Sequence, residues 1–378
     1  LNQRSLRAVK ALGVYPRDKR IGITSIDQPR IAHDSQVLIK MLEVGVCGTD
    51  AEIARFEYGS PPEGSEFLVL GHEGFGEVVE IGEAVTKVAP GDLVVPTVRR
   101  PCNDPSCVPC ATGHQDFCFT GEFKERGIKE IHGFMTEMIV EDEKYLHRVP
   151  AELRGSAVLV EPLTISRKAL RQIRDIQDRL PWECSMTGPE RQKLSCRRAL
   201  VLGAGPVGLL GAMTLKIAGF ETAVYSRTGG VPERERITRA IGCEFIPAEK
   251  YPAKELSDRV GQVDVIYEAV GASQLAFDVL ELLGANAIFI FTGVPGRKTR
   301  ATVNTDKIMR NLVLKNQALV GTVNAAPEDF EDAIKALQAF DRAWPGVAES
   351  IKTHGISLEE VPAALQKKAG IKQFVRLY

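Results

Sequence analysis

The sequence predicts an α/β protein of two domains, a β-rich first part followed by a doubly wound parallel sheet. Three observations carry this. The first 150 residues hold short apolar strands broken by glycine and proline, and no helical period competes there. From residue 199 onward, apolar strands alternate with helical segments in the βαβ pattern of a parallel sheet. A chain of 378 residues is also too long for one ordinary core, so two domains are expected.

The elements follow in order. Residues 37–44, 74–82 and 92–96 each read as a strand, the second with glycines that allow bends and the third stopped by Pro96. Residues 162–180 read as a helix with apolar positions at Leu170, Ile173 and Ile176. A polar connector with a Pro-Trp pair runs on to Arg198. Residues 199–202 form a buried strand, 206–218 a helix, and 222–225, 264–267 and 287–291 further strands. A helix near 327–340 and a short terminal strand end the chain. The expected boundaries are 1–194 for the β-rich domain, completed by 324–378, and 195–323 for the parallel sheet.

Composition excludes some functions. Lys+Arg (48) nearly cancels Asp+Glu (49), so no charge excess points to nucleic acid or a membrane surface. No apolar run reaches bilayer length. The opening Leu1-Asn2-Gln3-Arg4 lacks the apolar core of a signal peptide, so a cytoplasmic location is expected.

Gly203-Ala204-Gly205-Pro206-Val207-Gly208 has the pattern G-x-G-x-x-G. Alone that pattern is weak, but here it follows an apolar strand and opens a helix. The first glycine makes the tight turn, the second lets a pyrophosphate approach, and the third lets helix and strand pack. Free amides and the helix dipole then attract phosphate. This predicts a Rossmann dinucleotide site, with Gly293 also on its cofactor side. The next strand ends in Tyr225-Ser226-Arg227-Thr228, without the acid that binds a ribose 2′-hydroxyl. Ser226 and Arg227 suit a 2′-phosphate instead, so NADP is expected, with NAD use open.

Cys102, Cys107, Cys110 and Cys118 lie together in a loop containing proline and glycine. Four thiolates complete a zinc tetrahedron, so this site is expected to be structural. Disulfides are the main rival, disfavoured by an intracellular location. The spacing matches neither usual ferredoxin run. His114 is expected to be an exposed side chain rather than a ligand.

Three further segments offer metal ligands. Gly45-Val46-Cys47-Gly48-Thr49-Asp50 and Gly71-His72-Glu73-Gly74 are glycine-flanked turns, and Glu161-Pro162 opens the central helix. Taken singly, Cys47 also reads as a small core hydrophobe, His72 as a satisfied core histidine, and Glu161 as a helix N-terminal acid.

Together with Leu70, Gly91-Asp92, Arg99-Arg100, Asp116-Phe117-Cys118, Thr120-Gly121-Glu122-Phe123, Leu163 and Val320-Gly321-Thr322-Val323-Asn324, these motifs resemble the zinc-containing medium-chain dehydrogenase/reductase superfamily. The chain is most similar to its archaeal-type glucose (aldose) dehydrogenases, and the resemblance spans essentially the whole chain. It implies a GroES-like catalytic domain beside the Rossmann domain, two zinc ions per chain, and a homodimer or homotetramer. It implies catalytic zinc on Cys47 and His72, with Glu73 or Glu161 completing the shell directly or through water. It also implies sugar contacts from Glu122 and Asn324, and a hydrogen bond from Thr49 to the reacting oxygen.

Val98 stands where some relatives carry an asparagine that touches the sugar, and Ile165 where some carry an acid that does so. The resemblance therefore implies a sugar or polyol hydroxyl as substrate, with C1 of an aldose foremost. Glu52 occupies the position of a proton-relay histidine in alcohol dehydrogenases of the superfamily. A sorbitol, threonine or simple alcohol dehydrogenase is the nearest alternative. A zinc-free quinone reductase lacks the Cys47 and His72 ligands. A non-catalytic dinucleotide-binding protein would keep only the cysteine lobe.

Overall fold

The computed structural model describes residues 8–182, 184, 194–296, 300–367 and 369–378. The opening tetrapeptide and most of the polar connector before Arg198 lie outside the described residues. The chain divides into two compact units, one of residues 1–164, 324–337 and 352–378, the other of 165–323 and 338–351. The sequence reading puts the boundary at 194, whereas this division falls inside the helix Val160–Gln177.

The first unit is built on a seven-stranded sheet. Its central strand Gln36–Gly45 is flanked by Glu73–Ile81 and by the C-terminal strand Lys372–Arg376. Val37, Ile39, Met41 and Val44 are fully buried along it, and this apolar run explains its central place. Leu93–Pro96 and Leu146–Val149 extend the sheet on one side, and Lys352–Ile356 on the other. The hairpin Ala8–Tyr15/Arg20–Asp27 forms a second sheet with Leu68–Val69, a pairing the sequence reading did not assign. One short helix, Gly48–Ala54, interrupts the β-rich part where no helical period is visible. The Asp50 carboxylate starts it by accepting from the Cys47 amide at 2.8 Å.

The second unit holds a six-stranded parallel sheet. Its spatial order is Glu244–Pro247, Glu221–Ser226, Arg198–Leu202, Val263–Glu268, Leu283–Phe291 and Ala318–Gly321. Numbered along the chain that order is 3-2-1-4-5-6, the doubly wound arrangement. It reverses beside Arg198–Leu202, so a crevice is expected where that strand ends. Leu200, Leu202, Ile266 and Phe289 form its buried centre. Cys184 and Cys196 are joined by a disulfide, which the sequence reading did not anticipate.

Candidate active site

Cys47, His72 and Glu73 come together in the first unit, with their ligand atoms all within 4.8 Å of one another. Cys47 sits at the start of the helix Gly48–Ala54, and Glu73 opens the strand Glu73–Ile81. His72 and Glu73 are both buried. Sulfur, imidazole nitrogen and carboxylate oxygen are the donors that zinc takes in catalytic sites. The set therefore fits one zinc ion.

The surrounding groups orient these donors. Asp50, fully buried, places Oδ1 3.4 Å from His72 Nδ1, which leaves Nε2 for the metal. Burial alone would lower the His72 pKa, but Asp50 and Cys47 hold it well above the ordinary imidazole value. Lys372 forms a buried ion pair with Glu73 and donates to the Val46 carbonyl at 3.1 Å. Against its own burial, Glu73 and then Cys47 keep the Lys372 ammonium above its usual pKa. Glu161 lies in the first turn of the helix Val160–Gln177 and outside the three-ligand cluster. Burial, and then the Glu73 carboxylate, push it up to about 7. Thr49 Oγ1 stands 4.0 Å from Cys47 Sγ.

A second polar group lies in the same unit. Asn324, at φ +60°, donates Nδ2 to Glu125 Oε1 at 2.5 Å. The same oxygen accepts from Arg99 Nε at 3.0 Å. Glu125 and Arg99 are both buried. Glu122 is exposed instead, with its amide on Thr120 Oγ1 at 3.2 Å. The Tyr58 side chain is about half exposed. Burial, followed by Glu125, raises its pKa. Asp50, Lys372, Glu125 and Tyr58 escaped the sequence reading. Asp50 was visible in the Cys47 motif, whereas Lys372 comes from the far end of the chain and carries no local signature.

The four lobe thiols also converge within 4.8 Å, and no disulfide joins them. Cys107 and Cys118 sulfurs are 3.9 Å apart, and the Cys102 amide donates to Cys110 Sγ at 3.4 Å. Burial opposes it, yet Thr120 and the Gly121 amide bring the Cys118 thiol down to about 6. Four such donors fit a closed structural zinc site. His114 stays outside this set, 4.0 Å from Glu328.

In the second unit the three turn glycines have the geometry a dinucleotide needs. Gly203 adopts φ +99°, a Cβ on Gly205 would meet nothing within 4 Å, and one on Gly208 would stand 2.0 Å from the Gly203 carbonyl oxygen. The middle glycine thus faces open space, and the third packs helix on strand. Pro206 and Val207 begin the helix Pro206–Ile217, whose start gathers free amides. Ser226 Oγ accepts from the Ala204 amide at 3.1 Å, and Arg227 is exposed beside it. Glu268 accepts from the Val270 and Gly271 amides at 2.7 Å each and from Gly293 at 3.2 Å. That buried carboxylate ties Gly293 into the loops at the carboxyl edge of the sheet.

Comparison with known proteins gives the family. Residues 33–151 match the alcohol dehydrogenase GroES-like domain, and residues 155–377 match the glucose dehydrogenase C-terminus. Glucose 1-dehydrogenase of Methanocella arvoryzae is 37% identical over 98% of this chain and 99% of that protein. The glucose 1-dehydrogenase of Metallosphaera sedula is 37% identical over 95% of this chain and 96% of its own length. The structure of Haloferax mediterranei glucose dehydrogenase in complex with NADP, Zn and gluconolactone superposes with a TM-score of 0.84 at 30% identity. It covers 98% of this chain and 99% of that one. Among the described residues no helix is long and apolar enough to cross a membrane. The chain belongs to the glucose dehydrogenase family of zinc-dependent medium-chain dehydrogenases, enzymes that act on CH–OH donors.

Proposed function

We propose that this enzyme oxidises C1 of an aldose to the lactone and passes the hydride to NADP, with NAD the weaker acceptor. The observation that carries the sugar assignment is the hydrogen bond from half-buried Asn324 to buried Glu125, in the same unit as the Cys47–His72–Glu73 cluster. A carboxylate and an amide together offer hydrogen bonds to several hydroxyls. The glucose dehydrogenases among its relatives support the same substrate class.

Zinc held by Cys47, His72 and a carboxylate supplies a Lewis acid that lowers the pKa of the substrate hydroxyl. Asp50 fixes the His72 ring, Lys372 holds the Glu73 carboxylate, and Glu73 or Glu161 would complete the zinc shell. Thr49 accepts the hydroxyl proton as it gives up its own, which leaves towards solvent by way of Glu52 or the ribose 2′-hydroxyl. Asn324 and Glu125 orient the sugar so that C1 rather than another carbon reacts. Gly203, Gly205 and Gly208 receive the pyrophosphate, and Ser226 and Arg227 the 2′-phosphate. A second zinc in the cysteine lobe holds that loop together.

The proposal extends to a cytoplasmic homo-oligomer. None of the residues in the helix Thr305–Leu314 is buried, and Met309, Val313 and Leu314 are each about two-thirds exposed. Among the described residues the strand Ala318–Gly321 pairs with one neighbour only, Leu319 is exposed on it, and Val323 is exposed just after it. A free strand edge beside an apolar helix is self-complementary about a two-fold axis, so a second copy is the occupant.

A panel of aldoses, polyols and simple alcohols, each assayed with NADP and NAD by reduced-cofactor absorbance, tests the reading. The highest kcat/KM should fall on an aldose with NADP, with lactone as product. Preference for a polyol or a simple alcohol would refute the aldose assignment.

A further inference from the structure

The loop after the strand Glu221–Ser226 is held from two sides. Glu249 accepts from the Thr228 amide at 2.9 Å, the Thr228 hydroxyl at 3.2 Å and the Gly229 amide at 3.3 Å. Arg234, in the helix Glu233–Ala240, donates Nη1 to the carbonyls of Arg227 and Thr228, each at 3.3 Å. Between these clamps Gly229 and Gly230 adopt φ of +56° and +73°. Such a backbone has high conformational freedom when nothing outside holds it.

The charges around the loop do not cancel. Glu249 spends its carboxylate on the loop's own amides and hydroxyl. The Arg227 side chain has no hydrogen bond or ion pair to a carboxylate among the described residues. Arg234 is half-buried, its Nε has no hydrogen-bond partner among the described residues, and Arg227 repels it. Burial and then Arg227 lower the Arg234 pKa. Two guanidinium groups thus share one glycine-containing loop against a single engaged carboxylate. An arriving anion relieves that repulsion.

We propose that Arg234 is a positioning residue for cofactor choice, holding the carbonyls of residues 227 and 228 so that Arg227 is already set to meet the 2′-phosphate of NADP. This rests on the NADP reading above. Without Arg234 the loop must be ordered when the cofactor binds, and ordering a loop costs affinity. NAD makes no demand on Arg227 and loses little. Glu249 performs the matching task on the amide side.

The test uses the full chain with an aldose substrate and compares kcat/KM for NADP and NAD. The variants are Arg234→Met, Arg227→Ala, the double variant and Glu249→Ala. Arg234→Met should lower the NADP/NAD ratio by about tenfold, as the loss of a preorganised charged contact does. In the Arg227→Ala background the same change should alter the ratio by less than about twofold, because coupled residues are not additive. Glu249→Ala should also lower the ratio. A purely electrostatic role predicts the reverse, since it removes a negative charge from the phosphate side, so a rise there overturns the proposal. Additive losses in the double variant, or an unchanged ratio in an Arg234→Met variant that melts like the wild type, overturn it as well. A variant that merely folds poorly loses both cofactors alike and leaves the ratio in place. In that case Glu249→Ala, at an exposed residue, still decides the matter. A wild-type enzyme that favours NAD would refute the cofactor reading itself.

Discussion

Glu125→Gln puts the sugar site under the hardest test. The Glu125 Oε1 atom accepts from Arg99 Nε at 3.0 Å and from Asn324 Nδ2 at 2.5 Å. Glutamine keeps the shape and one acceptor oxygen but removes the charge. A hydrogen bond to a charged group contributes about 1.5–3 kcal/mol, against about 1 kcal/mol for a neutral one. Two weakened bonds therefore cost roughly 2 kcal/mol of stability, and buried Arg99 is left with the Asp116 carbonyl at 3.3 Å as its other acceptor. At about 2–4 °C per kcal/mol for a unit of this size, the melting midpoint should fall by about 4–8 °C. The share that passes through Asn324, about 1–1.5 kcal/mol, corresponds to roughly five- to tenfold in kcat/KM for the aldose. Steady-state kinetics with the sugar and NADP varied in turn, alongside a thermal melt, separate the two effects. The aldose KM should rise and the NADP KM should stay within about twofold. If the melt shifts while the aldose kinetics do not, Glu125 only supports the fold and the sugar binds elsewhere.

Four other changes probe separate parts of the molecule. Cys47→Ser should remove one of the two zinc ions, because hydroxyl is a poor zinc ligand, and lower turnover by more than about 100-fold with NADPH affinity kept; metal analysis with a fluorescence titration checks both. Gly208→Ala forces a Cβ to within 2.0 Å of the Gly203 carbonyl, an overlap costing about 1–3 kcal/mol, so the NADP KM should rise about 5- to 100-fold while zinc content stays at the wild-type level. Cys107→Ser opens the lobe tetrahedron, and the protein should lose its structural zinc and about 3 kcal/mol or more of stability, seen as an earlier melt. Val313→Asp places a charge on a residue 70% exposed in the single chain, so sedimentation should show dissociation into monomers with the melting midpoint of the dilute chain unchanged.

What was legible in the sequence was short-range. The turn Gly203–Gly208 and the cysteines from 102 to 118 complete their geometry within a few residues, so spacing alone describes them. Four of the six parallel strands follow from the alternation of apolar and helical segments, whereas the short edge strands Glu244–Pro247 and Ala318–Gly321, and with them the strand order, do not. The groups that escaped are those whose partners lie far along the chain. Asn324 and Glu122 are expected sugar contacts; the partner of Asn324 within the chain is Glu125, three residues beyond Glu122 and across from Arg99 in the short sheet of Arg99–Arg100 and Lys124–Arg126. Alternation explains the difference: Glu125 is the buried residue of that strand, between two half-buried neighbours. The helix Thr305–Leu314 goes unassigned in the sequence analysis because its core-facing side is narrow, with Ile308 packed on the core and Leu312 half-buried one turn on, while Met309, Val313 and Leu314 are exposed.

Gly45 shows why the catalytic cluster must be assembled from distant segments. It lies on the central strand, opposite Glu73 on one side and Phe374 on the other. A Cβ there would stand 1.9 Å from Glu73 Oε2 and 2.9 Å from Lys372 Cε. The bare Cα is the space in which carboxylate and ammonium meet. Glu73 therefore needs three things at once: a strand on its own side, a glycine in the middle strand, and a lysine from the last strand of the chain. No one segment contains that constraint, and register alone satisfies it, since sliding any of the three strands by one residue turns its side chain to the other face. The cysteine lobe has no such dependence, because its four donors come from one loop. A structural zinc can thus be read from spacing, whereas a catalytic one is specified by the sheet.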